Sequence, residues 1–521
     1  MKLTIHYPQQ TSEVLFDEPA LLSKLLSLSH HHFDLPCAGK GSCGKCRVKA
    51  FGALSEQSGV EKSLLTPEDL ENGVRLACMT CAVGDCEVEL TDGLQGSSIV
   101  SDGVIRRKPG HSPMPGEYGV AVDIGTTTVA AKLYRLSDQT PLFHAAQKNP
   151  QSRFGADVVT RIEQALSGKS DALCDSIVQC VDLLVLKLCR GAGVSPASIK
   201  SGVITANTTM LYLLARESTA PLSRAPFTLS RPFGETLSSD DFDFFNLSGV
   251  SLYLPRCIGP FVGADITCAA LASGMTLNKR PSLLIDIGTN GELALWHDGR
   301  LLCCSTAAGP ALEGAGLSCG CAAVPGAIDD VFLQNGEIGY TTIGNLPPVG
   351  VCGSGVVALA AVLLEAGILD ETGRLSMDGH PYQAYVEEYD GAAAFLFPGS
   401  SIVFTQKDVR AVQLSKGAIC AGILTLLDSA GLSPAALDEL LIAGGFGNFI
   451  SIEKAARMGL IPKELAGKAE ALGNAALQGA SLLLLDTGLI GESERFAETA
   501  EVVDLSQNPV FSAHYMDCML F

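Results

Sequence analysis

Apolar and polar residues alternate at the start of the chain. Leu3, Ile5 and Tyr7, then Val14 and Phe16 after Pro8-Gln9-Gln10, predict two short strands, and the apolar spacing from Ala20 to Ser29 predicts a helix after them. Beyond residue 116 the rhythm changes. Residues 118–134 (YGVAVDIGTTTVAAKLY) read as a buried strand, a polar turn and a second strand, and residues 283–295 (LLIDIGTNGELAL) repeat that design. Asp123 and Asp286 hold the same place in the two copies, 163 residues apart, so each copy should open one α/β domain. Gly96 to Gly116 is rich in Ser, Gly, Pro and charge without periodicity, and reads as a mobile linker. The expected units are residues 1–95, a linker 96–116, and domains 117–280 and 281–521.

Composition narrows the function classes. The 521 residues include 36 Lys+Arg and 56 Asp+Glu, a net charge of -20, with 47% hydrophobic and 18% charged residues. That balance builds several buried cores and excludes a disordered chain. The acidic surplus repels phosphate backbones and anionic lipids, and no basic patch offsets it, so neither nucleic acid nor a membrane is an expected partner. The apolar run Ala358 to Leu364 stops at Glu365, short of the roughly 18 residues a spanning helix needs. Met1 to Tyr7 lacks the apolar core of a signal peptide. A cytoplasmic protein is expected, in which the 18 cysteines are ligands, reactive thiols or small buried hydrophobes instead of a disulfide framework.

Three thiols and three glycines fall within ten residues in Cys37-Ala38-Gly39-Lys40-Gly41-Ser42-Cys43-Gly44-Lys45-Cys46, and Arg75-Leu76-Ala77-Cys78 adds a distant fourth thiol. Glycine and lysine flank the thiols where a core would need apolar neighbours. A glycine-rich loop of this kind turns backbone N–H groups toward cluster sulfides, while four thiolates also suit zinc. Residues 1–95 resemble the plant- and adrenodoxin-type ferredoxins. That resemblance implies a β-grasp fold and a [2Fe–2S] cluster on Cys37, Cys43, Cys46 and Cys78. Cys81 and Cys86 follow closely and compete for the fourth position. The His30-His31-His32 run has no ligand spacing and reads as a solvated helix end.

In both strand-turn-strand copies a glycine permits close backbone approach, hydroxyls and N–H groups suit phosphate, and the aspartate suits hydrated Mg²⁺ or an oriented water. The residues concerned are Asp123, Gly125, Thr126, Thr127 and Thr128 in the first copy and Asp286, Gly288, Thr289 and Asn290 in the second. A third segment, Leu440 to Asn448, sets Gly444, Gly445 and Gly447 at a strand end. Residues 117–521 resemble the acetate and sugar kinase, Hsp70 and actin superfamily, with phosphate-1, phosphate-2 and adenosine motifs in order. This implies a duplicated actin-like, ribonuclease H-like fold that binds ATP and Mg²⁺, with Asp123 and Asp286 as the catalytic pair. The whole chain is then an α/β multidomain protein, an α+β ferredoxin ahead of that ATPase. Asn207 to Met210, Asp265, Glu313 and Gly350 to Gly355 are lesser candidates for the same cleft. Cys303-Cys304 and Cys319-Gly320-Cys321 are expected as buried or cleft-lining thiols, and Cys174, Cys180 and Cys189 as core.

A ferredoxin joined to an ATPase suggests that nucleotide turnover gates or drives a difficult reduction. The full chain resembles the reductive activators of corrinoid proteins, matching at Asn149-Pro150-Gln151, Gly155-Ala156-Asp157, Asn207-Thr208-Thr209-Met210, Gln406-Lys407-Asp408 and Ala443 to Asn448. The resemblance implies an ATP-hydrolysing iron–sulfur reductase that returns cob(II)amide to cob(I)amide on the corrinoid protein of a methyltransferase system. It also implies an external low-potential electron donor, and it is compatible with a homodimer. Three departures follow from the sequence. The short linker leaves no room for the separate middle domain of some relatives. The lone Cys518 provides no C-terminal [4Fe–4S] centre. Asp378-Gly379-His380 begins a cobalt-ligand motif that Gln383 fails to complete, so the corrin comes on a partner. A small-molecule kinase with a redox-sensing ferredoxin and a nucleotide-switched binding module are the alternatives.

Thiolate ligation makes a direct prediction. Iron and acid-labile sulfide analysis should find about two irons per chain, lost in Cys43→Ser and Cys78→Ser and kept in Cys81→Ser. One zinc without sulfide would overturn the ferredoxin reading.

Overall fold

In the computed structural model Leu3 and Ile5 are fully buried on one face of the first strand, so the alternation of the opening residues sets one wall of a core. The structure describes residues 1–6, 11–28, 35, 37, 39–41, 44, 46–90, 103–445 and 450–521. The first module runs β1 (Lys2–His6), β2 (Thr11–Leu15), β3 (Ala20–Leu21), α1 (Leu22–Leu28), β4 (Arg47–Leu54), α2 (Gly59–Leu64), α3 (Pro67–Glu71), β5 (Val74–Leu76) and β6 (Cys81–Glu89). Its sheet has the order β2-β1-β6-β4-β5, with β1 parallel to β6 and β3 on the free stretch of β6. Leu22, Leu25 and Leu26 of α1 pack across that sheet, which is the β-grasp arrangement.

The next stretch comprises β7 (Tyr118–Ile124), β8 (Thr128–Arg135), β9 (Thr140–Lys148), α4 (Val158–Gln164), α5 (Ser170–Ala192), β10 (Ile199–Ala206), α6 (Thr208–Leu214), β11 (Glu235–Ser238), β12 (Ser251–Leu254) and α7 (Ala264–Ser273). Its sheet order is β11-β12-β10-β7-β8-β9, an antiparallel meander of β7 to β9 beside parallel β10 and β12. Cys174, Cys180 and Cys189 of α5 are buried in the core over this sheet.

The remainder comprises β13 (Ser282–Ile287), β14 (Gly291–His297), β15 (Arg300–Thr306), β16 (Ala327–Gln334), β17 (Glu337–Thr342), β18 (Gly350–Val351), α8 (Gly353–Glu365), β19 (Val386–Tyr389), β20 (Ala392–Leu396), β21 (Val403–Thr405) and α9 (Gln406–Ser429). It ends with β22 (Glu439–Ala443), α10 (Ile452–Arg457), β23 (Ala469–Gly473), α11 (Ala475–Leu485), α12 (Ile490–Thr499), β24 (Glu501–Val502) and α13 (Pro509–Cys518). Its main sheet, β23-β22-β13-β14-β15-β24, repeats the design of the preceding one: β13 to β15 are an antiparallel meander and β22 and β23 run parallel to β13. Register makes the repeat concrete. Asp123 lies opposite Ala130 and Thr205, and Asp286 opposite Glu292 and Ala443.

Three findings depart from the sequence pattern. First, residues 103–116 are not a free arm. Val104 N–H bonds the Leu472 carbonyl, Arg107 pairs with Glu492 at 2.6 and 2.7 Å, and Gly110 N–H reaches Asp486 at 2.7 Å, strapping this stretch to the C-terminal part of the chain. Second, α9 is long and apolar enough to cross a bilayer, but most of its apolar window is buried, with Val409, Val412, Ile419, Ile423 and Leu426 inside the core. Third, α11 comes from the far end of the chain to pack on β7 and β10, so one core joins Ala121 and Val203 to Leu284, Leu441 and Leu484.

Helices α7 and α11 cross at Gly479, where an added Cβ would overlap the Cys268 carbonyl. Gly479→Ala should therefore lower unfolding stability by about 1–3 kcal/mol through overpacking, read from the denaturant midpoint of the C-terminal transition. A midpoint equal to wild type would mean that the two helices separate at no cost.

Candidate functional site

The cysteine loop depends on glycine. Gly39, Gly41 and Gly44 have φ of +79°, +71° and +62°, left-handed conformations that turn the backbone at little cost only without a Cβ. Cys46 and Cys78 are both buried, and their sulfurs share a hydrogen bond of 3.2 Å. That bond lowers the Cys46 thiol to about 7 against the burial that opposes it. Cys37 is half-buried at the rim, and Cys43 lies outside the described residues. Among the described residues no three His, Cys, Asp or Glu converge on one metal position. Soft thiols on a left-handed glycine loop are the donor set that an iron–sulfur cluster takes.

Cys78 is held by a knot that the sequence did not reveal. Glu61 of α2 is fully buried and accepts from Arg75 Nε (2.8 Å), Arg75 Nη2 (3.2 Å), Leu76 N–H (3.2 Å), Thr80 Oγ1 (2.9 Å), Ser58 N–H (2.8 Å) and Ser58 Oγ (3.0 Å). Burial pushes its carboxyl up, but these donors outweigh it and hold the group at about 2. The Arg75 to Thr80 segment is thereby pinned on both sides of Cys78. Cys81 instead begins β6, opposite Leu21, with its N–H bonded to Ser55 Oγ at 3.0 Å.

The first candidate phosphate loop is a turn closed by Gly125 N–H to the Thr128 carbonyl at 2.9 Å, where a Cβ on Gly125 would meet that carbonyl at 2.8 Å. Asn149 grips it through Nδ2 to the Gly125 carbonyl and through its own N–H to the Thr127 carbonyl, both 2.8 Å. Asn207, the N-cap of α6, donates to Thr126 Oγ1 at 3.0 Å. Arg161 of α4 donates to the Thr126 carbonyl at 2.7 Å. The second loop closes with Gly288 N–H to the Asn290 carbonyl at 2.9 Å, and Thr289 Oγ1 donates to Glu313 at 2.6 Å. Gly444 ends β22 at φ +92°, where a Cβ would come within 2.6 Å of Asp286 Oδ1. Gly445 is exposed beyond it, and Gly447 lies outside the described residues.

Between the loops lies an acidic cleft. A small open pocket there is lined by Val158, Asn207, Thr208, Asn290 and Glu292. Asn474 Nδ2 donates to Asp123 at 2.8 Å. Burial raises Asp123 to about 7, against the Asn474 hydrogen bond and helped by the charge of Asp265. Burial raises Asp286 to about 8, with Asp265, Asp123 and Glu313 adding repulsion. Asp265, Glu292 and Glu313 are raised as well, first by burial. Burial and repulsion among these carboxyls thus favour their neutral forms, and a cation beside them would favour the ionised forms.

The structure brings Asp123, Asp265 and Asp286 within electrostatic reach of one another, with Glu313 beside Asp286. Glu292, Asn474 and Arg161 join them without having been singled out in the sequence; the position of Glu292 four residues after Gly288 on an otherwise apolar strand was the available clue. Gln406 and Asp408 start α9: Asp408 caps it through Thr405, and Gln406 bonds Gly373 and Leu375. His380 spends both ring nitrogens on Ser376 and Tyr382 within its own loop. Cys303, Cys304 and Cys319 are buried, while Cys321 is half-buried.

Three family models match the chain. They are described as the C-terminal domain of RACo, the ASKHA domain (residues 280–521), the RACo middle region (118–278), and the 2Fe-2S iron-sulfur cluster binding domain (6–83). The middle region that the short linker had seemed to exclude therefore has a counterpart in residues 118–278. The chain is 30% identical over 590 residues to the corrinoid activation enzyme RamQ of Eubacterium limosum, covering 100% of this chain and 99% of that protein. It is 25% identical over 432 residues to the [Co(II) methylated amine-specific corrinoid protein] reductase of Methanosarcina barkeri, covering 77% and 76%. A solved structure of a reductive activator for corrinoid,iron-sulfur protein aligns over 100% of this chain and 98% of its own, with TM-score 0.71 and 25% identity.

The Glu61 knot yields a prediction. Glu61→Gln leaves Arg75 buried without its counter-charge, so the first module should lose about 3 kcal/mol of stability, seen as loss of the cluster absorption at lower denaturant. Because the folded carboxyl is depressed from 4.5 to about 2, the wild-type advantage is complete above pH 4.5 and lost as pH falls through 2. A Glu61→Gln module with wild-type resistance at neutral pH would assign Glu61 no part in holding Cys78.

Proposed function

Since this chain belongs to the family of corrinoid activation enzymes, we propose that it catalyses the ATP-dependent reductive activation of a corrinoid protein. One electron is added to the partner's cobalt, turning inactive cob(II)amide into the cob(I)amide that accepts a methyl group. The observation that carries this reading is the union, on one chain and along the full length of a corrinoid-activating relative, of a ferredoxin-type module and a two-loop nucleotide cleft. It favours the activator over a small-molecule kinase or a nucleotide-switched binding module.

In this reading Cys37, Cys43, Cys46 and Cys78 hold the [2Fe–2S] cluster, which supplies one-electron chemistry when bound. Cys78 is preferred to Cys81 because its thiol lies beside Cys46. Thr126, Thr127 and Thr128 with Gly125, and Thr289 and Asn290 with Gly288, receive the phosphates of ATP. Gly444, Gly445 and Gly447 lie under the adenosine. Asp123 and Asp286 take hydrated Mg²⁺ and orient the attacking water. Residues 1–95 act as the electron-carrying unit, 96–116 as the connection, and 117–280 and 281–521 as the two halves whose closure responds to the nucleotide. An external low-potential donor supplies the electron in the cytoplasm.

Hydrolysis changes closure and partner contacts, while the electron passes through the first module, so the two activities should separate by mutation. Cys43→Ser should still hydrolyse ATP with the corrinoid protein present and form no cob(I)amide. Asp286→Asn should keep a reducible first module, lose hydrolysis by about 10²-fold, and leave the partner as cob(II)amide. Stopped-flow absorbance of the cobalt state reads both. Cob(I)amide formed at the wild-type rate without ATP would overturn the coupled reading.

A further inference from the structure

Among the described residues Arg161 is one of the largest fully buried side chains, on the helix behind the first phosphate loop. Its guanidinium donates to the carbonyls of Thr126 (2.7 Å) and Gly155 (3.0 Å), and to Gln151 Oε1 (3.4 Å) and Met210 Sδ (3.3 Å). All four acceptors are neutral. Asp157, the N-cap of α4, offsets part of the charge, but its own carboxylate is engaged with Thr160 N–H at 2.7 Å. A buried cation served only by neutral acceptors opposes folding unless a stronger opposite charge arrives. The two loops differ in this respect, for the second is backed by the carboxyl of Glu313.

We propose that Arg161 is the positioning residue of the first phosphate loop, fixing the Thr126 carbonyl backward so that the loop's free N–H groups and hydroxyls face a polyphosphate, and lending that polyphosphate its charge. The proposal rests on the nucleotide reading given above. It orients the ligand, with the phosphates against the loop that a cation backs and the divalent cation toward the carboxylates around Asp286. The planar fork matters as much as the charge, because Nε and Nη2 reach two different carbonyls at once. Gln151 and Asn149 complete the support: Gln151 donates to the Leu173 carbonyl at 3.0 Å and accepts from Arg161, while Asn149 holds Gly125.

The test is thermal denaturation of the full chain over a range of MgATP concentrations, since a ligand bound only by the folded state raises the midpoint. In Arg161→Met the loss of hydrogen bonds and the relief of a buried charge oppose each other, so the ligand-free midpoint should stay near wild type. The MgATP concentration that produces a given rise should increase by about 100-fold, and in Arg161→Lys, which keeps the charge without the fork, by about tenfold. A ligand-free midpoint far below wild type with an undiminished MgATP response would assign Arg161 a merely structural role and overturn the proposal. Should Arg161→Met fail to fold, Arg161→Lys decides, and a given rise reached within about twofold of the wild-type MgATP concentration overturns the proposal. A wild-type chain without any MgATP response would instead remove the nucleotide site itself.

Discussion

Five carboxyl groups, Asp123, Asp265, Asp286, Glu292 and Glu313, share one cleft, Asp123 buried and the others half-buried, and desolvation with mutual repulsion opposes ionising them all. The folded chain accepts this by keeping protons on some of them and by setting neutral donors such as Asn474 against others. Their placement follows from the duplicated sheet. The first strand of each meander carries an aspartate one residue before its end, and α7 and α11 cross closely in the core that joins the two sheets. A cleft so built is poor at holding an anion alone and well suited to a polyphosphate that brings its own divalent cation.

The same physics governs the first module on a smaller scale. There a single buried acid, Glu61, is satisfied so fully by Arg75, Ser58, Leu76 and Thr80 that it stays ionised and serves as an anchor. The contrast with the cleft is instructive. Six donors around one carboxylate give a rigid support for Cys78, while in the cleft the donors, among them Asn474, Thr289 and the Ile266 N–H, are spread over five carboxyls and leave burial dominant. The two modules also touch, through Lys40 of the cysteine loop and Glu163 of α4 at 2.7 Å. Both side chains are about half exposed, so this contact is weak and reversible.

Much of this organisation was legible in the chain because it rests on local rules. The spacing of Cys37, Cys43 and Cys46, the left-handed glycines between them, and the strand-turn-strand around each of Asp123 and Asp286 are written within short stretches, and Cys78 follows in its own Arg-Leu-Ala-Cys run. Asn207 stood among the lesser cleft candidates, and the structure makes it the N-cap of α6. The Asn149-Pro150-Gln151 and Gly155-Ala156-Asp157 stretches stood out as matches, but their work did not. Asn149 and Arg161 act on a loop more than twenty residues away, and nothing in their neighbours says so.

What the sequence alone determined is the kind of chemistry at each end and the repeat of one strand-turn-strand design, since thiol spacing and strand periodicity are local properties of the chain. Tertiary structure decided the rest. It took residues 103–116 out of the linker and strapped them to a segment more than 350 residues later, and it brought Asn474 to Asp123 across 351 positions. It also turned the apolar length of α9 into a core helix. The reason is common to all three: a buried polar or apolar group must find its partner wherever the folded chain provides one, and separation along the sequence places no limit on that search.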